Sequence, residues 1–279
     1  MTRRSTNQSQ VLTGGLTGIQ AGGYVFTSPS SLYPSPMAAK ASLIDAFKPK
    51  RAGKNAKLSH VVFLLDDSSS MQSCRDVTIS GFNEYLASQK ADALTTGIST
   101  VVSLYKFDGR DVKCVFDRQD VKTVEPLTHA TYNPSGNTNL LDAMGGILMK
   151  VNSLLSEKKK ADRESVIINV LTDGEENASR TFDNATIKQM VEKAQGKSWG
   201  FLFLGANIDA FSAGHALGFG VQNTMQFNTQ NTEATMRAAS RMTNSLKAAY
   251  AKGETTATAY DSSTFTSVER AAAVGQTNE

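Results

Sequence analysis

The chain has 279 residues, of which 40% are hydrophobic, 20% charged and 8% aromatic, with six prolines and 21 glycines. This composition excludes a collagen-like or proline-rich protein and fits a soluble globule long enough for one large α/β domain or two small ones. The formal charge of +3 looks basic, but residues 1–57 hold eight basic side chains against one acid, so residues 58–279 carry a net charge of −4.

Residues 1–57 mix Gly, Ser, Thr, Gln and Ala with isolated apolar residues and contain Pro29, Pro34, Pro36 and Pro49. No helix or strand period runs through them, which predicts a flexible or partner-ordered basic arm with a short amphipathic piece at Met37–Phe47. From Leu58 the pattern changes. His60–Leu65 (HVVFLL) reads as a buried strand, and Asp76–Leu94 as a helix carrying Val77, Phe82, Leu86 and Leu94. Ser99–Phe107 reads as a second strand, and Lys113–Phe116 as a third beyond the turn at Asp108-Gly109. Leu140, Leu141, Met144, Ile147, Leu148, Val151 and Leu155 recur at helical spacing. Then come an apolar strand at Ser165–Leu171, a helix at Ala185–Ala194, a strand at Trp199–Leu204 and a weaker strand near Thr224–Phe227. Met236, Ala239, Met242, Leu246 and Ala249 mark a last amphipathic helix, and the Thr/Ser-rich segment from Gly253 is expected to be a mobile tail. The predicted division is an arm over 1–57, a domain over 58–252 and a tail over 253–279.

Short apolar strands alternating with amphipathic helices predict a six-stranded, mostly parallel sheet covered by helices on both faces. Such sheets carry their sites at the carboxyl ends of the strands. Three polar loops occupy or adjoin those ends. Asp66-Asp67-Ser68-Ser69-Ser70 follows the first strand, Gly136-Asn137-Thr138-Asn139 opens the helix at Leu140, and Thr172-Asp173-Gly174 follows the strand at Ser165. Asp66, Asp173, Ser68, Ser70 and Thr138 form an all-oxygen set, which suits a hard cation: Mg²⁺ first, with Mn²⁺ or Ca²⁺ as alternatives. Capping and turn formation are the ordinary roles of such residues taken singly. Asp67, Glu175 and Glu176 are expected to be solvated acids, and Asp142 to be favoured by the start of its helix.

These three elements resemble the von Willebrand factor type A (VWA) family and its metal-ion-dependent adhesion site, written D-x-S-x-S, then a threonine, then an aspartate. The resemblance runs from about His60 to about Tyr250 and implies a Rossmann-like α/β fold. It also implies that Ser68, Ser70 and Thr138 hold a divalent cation directly while Asp66 and Asp173 act through water. On this resemblance the chain is a non-catalytic binding module that engages an Asp or Glu of a partner protein through the ion. The stretch from Phe203 to Gly218 is similar to stand-alone VWA proteins of bacteria and their phages, which makes a virion or other assembly component the alternative reading. In that alternative the arm orders on neighbours, and oligomers form through it.

Other chemistries fit poorly. A haloacid-dehalogenase-type phosphatase needs D-x-D-x-T, but positions 68 and 70 are both Ser and Asn177 replaces a late acid. There is no G-x-x-x-x-G-K-[ST] or G-x-S-x-G, and His60, His129 and His215 read as packing or surface residues. Asn207 and Asp209 could line the binding face, although capping the next helix is preferred. The arm lacks interleaved aromatics and a reader motif, so nucleic acid is not an expected partner. No apolar run is long enough for a membrane span, and no signal peptide opens the sequence. Cys74 and Cys114 form no metal or disulfide framework, which points to a cytoplasmic setting, or to the virion or host cytoplasm for a viral protein.

Overall fold

The computed structural model describes residues 25–26, 36–53 and 57–276. Most of the segment read as an arm lies outside the described residues. Six principal strands form one sheet: β2 (Leu58–Asp66), β3 (Ser99–Phe107), β4 (Val112–Asp120), β5 (Ser165–Thr172), β6 (Trp199–Ala206) and β7 (Thr224–Phe227). The two-residue β1 (Val25–Phe26) adds a seventh at one edge, in the order β1-β4-β3-β2-β5-β6-β7. Five strands, β3, β2, β5, β6 and β7, run parallel, and β4 returns antiparallel beside β3.

The central strands are predominantly apolar because both faces are covered. Val61, Phe63 and Leu65 of β2 face one helical layer, where Phe82, Tyr85 and Leu86 of α2 (Arg75–Thr95) meet Met236, Met242 and Leu246 of α6 (Thr232–Ala251). The alternate residues Val62 and Leu64 face the other layer, formed by Met144, Ile147, Leu148 and Val151 of α3 (Leu140–Glu157) and Ile187, Met190 and Val191 of α4 (Asn184–Gln195). The period-two alternation of a strand thus serves two cores at once.

Two segments expected to be loose are packed on this body. Pro36–Ala46 forms helix α1 beside α4, where Lys40 pairs with Asp183 at 2.7 Å and the Lys193 ammonium donates to the Ile44 carbonyl. Phe47 is buried edge-on against Trp199, whose indole N–H donates to the Lys50 carbonyl at 2.9 Å. Residues 36–53 therefore belong to the packed body, and the compositional boundary at 57 falls behind them. At the other end, α7 (Thr256–Ser262) and α8 (Ser267–Ala273) replace the expected mobile tail. β7 first pairs with β6 at Phe203, which leaves the outer edge of Phe201 uncovered. The Tyr260 hydroxyl accepts from Phe201 N–H at 2.6 Å and donates to its carbonyl at 2.8 Å, and Asn223 donates to the same carbonyl. Exposed strand groups are satisfied this way by side chains rather than by water. Among the described residues, no helix is long and apolar enough to cross a membrane.

Candidate metal centre

Asp66 ends β2 as a fully buried carboxylate. Its Oδ1 accepts from the Ser68 N–H at 2.8 Å, which folds the chain back, and its Oδ2 accepts from the Thr172 hydroxyl at 2.5 Å. The hydroxyls of Ser68 and Ser70 lie 3.1 Å apart, and Ser70 donates to Asp173 Oδ1 at 2.6 Å. Thr138 reaches the same point from the loop before α3. Gly174 shows how tightly the groups converge. A Cβ placed there would meet Thr138 Oγ1 at 2.9 Å and both Asp66 Oδ2 and Ser70 Oγ at 3.7 Å. A hydrogen in place of a side chain keeps a small cradle open between oxygens from all three loops.

Those loops are laced together. The Tyr132 hydroxyl, fully buried, donates to the Asp66 carbonyl at 2.8 Å. The Ser69 N–H donates to the Gly136 carbonyl, and the Gly136 N–H donates back to the Ser69 hydroxyl. Gly136 takes φ 95°, a left-handed conformation that favours glycine. Asn177 Oδ1 accepts from the Thr138 N–H at 3.0 Å, while the N–H groups of Asn177 and Ala178 donate to the Thr138 carbonyl.

Burial pushes the Asp66 carboxyl up to about 6, against its hydrogen bonds from Ser68 and Thr172, and raises Asp173 as well. Two carboxyls are thus partly stripped of water beside three hydroxyls, while Ser70 stays exposed and gives access from solvent. A cation offsets the cost of burying such charges, and a set of neutral hydroxyls with two carboxylates fits a hard divalent ion. Among the described residues no three His, Cys, Asp or Glu side chains gather in metal-holding geometry.

Several neighbours depart from expectation. Asp67 is buried rather than solvated, with Lys106 Nζ at 2.9 Å from its Oδ2. Glu176 caps α3: it accepts from the Leu141, Ala178 and Ser179 N–H groups. Asp142 accepts from the N–H groups of Arg180, Thr181 and Phe182, a more specific role than favouring its helix start. Asp209 caps α5 (Ala210–Ala216) through the Ser212 N–H and hydroxyl, as preferred. Thr172, Tyr132 and Asn177 are absent from the sequence-based set. Thr172 alone had a signal, since it ends β5 next to the strand end at Asp66.

No protein-family model and no curated protein matches the chain. Solved structures do match. The pilus adhesin SpaC from Lactobacillus rhamnosus GG, in its open conformation, aligns with a TM-score of 0.50 at 11% identity over 71% of this chain and 31% of its own. The strand order and five parallel strands are those of the Rossmann-like α/β fold of VWA type. Proximal thread matrix protein 1 from the mussel byssus, with a zinc-occupied MIDAS motif, aligns at TM-score 0.47 and 13% identity over 70% of this chain and 48% of its own. The SpRpn10 VWA domain aligns at TM-score 0.41 and 9% identity over 61% of this chain and 86% of its own. This chain spans less than half the length of the mussel structures it matches. At these identities the likeness concerns the fold alone.

Proposed function

We propose that this chain is a non-catalytic, divalent-cation-dependent protein-interaction module. The observation that carries the reading is the approach of Thr138 Oγ1, Asp66 Oδ2 and Ser70 Oγ to one point beside Gly174. Ser68, Ser70 and Thr138 supply the direct oxygen ligands. Asp66 and Asp173, fixed by Thr172 and Ser70, would act on the ion through water. When bound, Mg²⁺, with Mn²⁺ or Ca²⁺ as alternatives, supplies a positive charge only partly neutralised by the site. The exposed Ser70 side leaves room for a partner's Asp or Glu carboxylate to complete the set. The zinc-occupied MIDAS named for the mussel protein is in keeping with a metal role for this residue pattern. Asp66 stands where a phosphatase nucleophile would, but Ser68 cannot serve as its general acid near neutral pH. Both cysteines are buried free thiols, which fits a reducing compartment.

Calorimetry with Mg²⁺ on the full chain and on Asp66→Ala tests the reading, with Thr138→Ala as a second variant that leaves Asp66 in place. Heat in the wild type that both variants lose is expected. Equal heats in all three, or none in any, sink the metal role and leave the fold untouched. A capture experiment run in parallel with Mg²⁺ and with EDTA tests the bridge, and capture that survives chelation unchanged argues against it.

A further inference from the structure

Thr138 is gripped on both its amide and its carbonyl by one short segment. Asn177 Oδ1 accepts from its N–H at 3.0 Å, and the Asn177 and Ala178 N–H groups reach its carbonyl at 3.1 and 3.0 Å. The same segment continues onto α3, where Glu176 accepts from the Leu141 N–H and Ser179 Oγ from the Asp142 N–H. The first turn of α3 thus takes caps from the chain that follows β5, and its own N-cap residue Asn139 makes no side-chain cap. The threonine loop, the start of α3 and the segment after Asp173 are therefore tied together by hydrogen bonds. Within that segment the Asn177 side chain hydrogen-bonds the residue that carries the hydroxyl.

Cations differ in what they ask of such a hydroxyl. Mg²⁺ requires near-ideal oxygen positions at roughly 2.0–2.1 Å, whereas Ca²⁺ accepts irregular sets at roughly 2.3–2.6 Å. A threonine whose backbone is pinned favours the smaller, stricter ion, and one whose loop is loosened loses that preference. We propose that Asn177 is a positioning residue that acts through the Thr138 backbone and sets the preference of the site for Mg²⁺ over Ca²⁺. The inference rests on the cation reading above and adds a residue and a selectivity to it.

The test is calorimetry of the full chain with Mg²⁺ and, separately, with Ca²⁺, on the wild type, Asn177→Leu and Asn177→Asp. Leucine removes the acceptor, and aspartate keeps an oxygen for the Thr138 N–H. The expected result for Asn177→Leu is a loss of Mg²⁺ affinity of about tenfold or more, the size of effect seen when a ligand's supporting partner is removed, with a much smaller loss for Ca²⁺. Asn177→Asp is expected to keep the wild-type ratio of Mg²⁺ to Ca²⁺ affinity, since its added charge strengthens both ions. Asn177→Ala serves as a second truncation with the same expectation, and thermal melts in EDTA establish that each variant folds. An unchanged ratio in the truncations, or an equal shift in the truncations and in Asn177→Asp, overturns the role of Asn177 alone. Absence of heat with either ion in the wild type overturns the cation reading and this role together.

Discussion

The Thr172 hydroxyl donates to Asp66 Oδ2 at 2.5 Å, joining the ends of two neighbouring parallel strands through side chains that are both fully buried. The contact continues the sheet ladder beyond its last backbone pair, Leu65 with Leu171. It also gives a buried carboxylate oxygen a donor that does not depend on solvent.

Replacing Thr172 by Val keeps the shape and removes that donor. A buried carboxylate oxygen left without a partner costs about 1–3 kcal/mol, so Thr172→Val is expected to lower the urea midpoint accordingly. Serine at the same position keeps the hydroxyl and should recover most of the loss. A valine variant as stable as the wild type would show that the hydrogen bond contributes nothing.

Mild acidification should remove the stability that His60 contributes, while Asp66, raised to about 6 in the folded chain, takes up a proton over the same range and opposes that loss. The His60 ring is buried, with Nε2 2.8 Å from Ser103 Oγ and Nδ1 facing the Arg118 guanidinium. Burial, then Arg118, holds the ring neutral down to about 3. The unfolded chain takes up a proton near pH 6.5, which the folded chain refuses, so stability is present above 6.5 and is lost as the pH falls towards 3. Between pH 6.5 and 5 this amounts to about 2 kcal/mol. Against their burial, Lys158 holds Glu164 and Lys150 holds Asp117 below the usual carboxylate range, so these neighbours add their losses only at lower pH. Urea midpoints at pH 7 and pH 5 for the wild type and His60→Gln isolate the His60 contribution. The glutamine does not titrate, and an equal pH loss in both proteins would assign the effect elsewhere.

The central strands are legible in the sequence because burial on both faces leaves them few polar residues to confuse the pattern, as in HVVFLL and SVIINVL. The three site loops are legible because they follow those strands or open the helix at Leu140. The docked ends are not, since isolated aromatic anchors hold them: Phe47 in one, and Tyr260 and Phe265 among small polar residues in the other. Thr266-x-x-Glu269 writes a capping box for α8 into the sequence, yet a cap without an apolar stripe predicts no packed helix. The partners Tyr132, Thr172 and Asn177 depend on strand register and loop path, which composition and periodicity do not encode.

Two adjacent glycines inside α3 have opposite roles. A Cβ on Gly145 would strike the Phe182 ring at 2.4 Å, whereas a Cβ on Gly146 meets nothing within 4 Å. Gly146→Ala is therefore expected to stabilise the protein by about 1 kcal/mol, the difference in helix propensity. Gly145→Ala should destabilise it by about 1–3 kcal/mol through overpacking. Thermal midpoints that move in the same direction for both would contradict this assignment.

Lys247 is fully buried between α6 and α2, with its ammonium 2.6 Å from Asp92 Oδ2 and 2.8 Å from Gln89 Oε1. Removing one member of such a pair strands the other charge. Lys247→Met is expected to cost about 3–5 kcal/mol, and adding Asp92→Leu should recover much of that loss. A double-mutant cycle in urea reads the coupling directly. Additive losses would mean that the two charges act independently.

Trp199 is the only tryptophan in the chain, and its indole sits in the seam where residues 36–53 meet the body. Intrinsic fluorescence therefore reports on this seam separately from the rest of the fold. Detachment of the segment would wet the indole and move its emission to longer wavelength while the sheet keeps its circular dichroism. The same optics set a practical limit on shortening the protein: a chain started at residue 58 loses Phe47 and the Lys50 carbonyl, and its emission should already resemble that of the detached form.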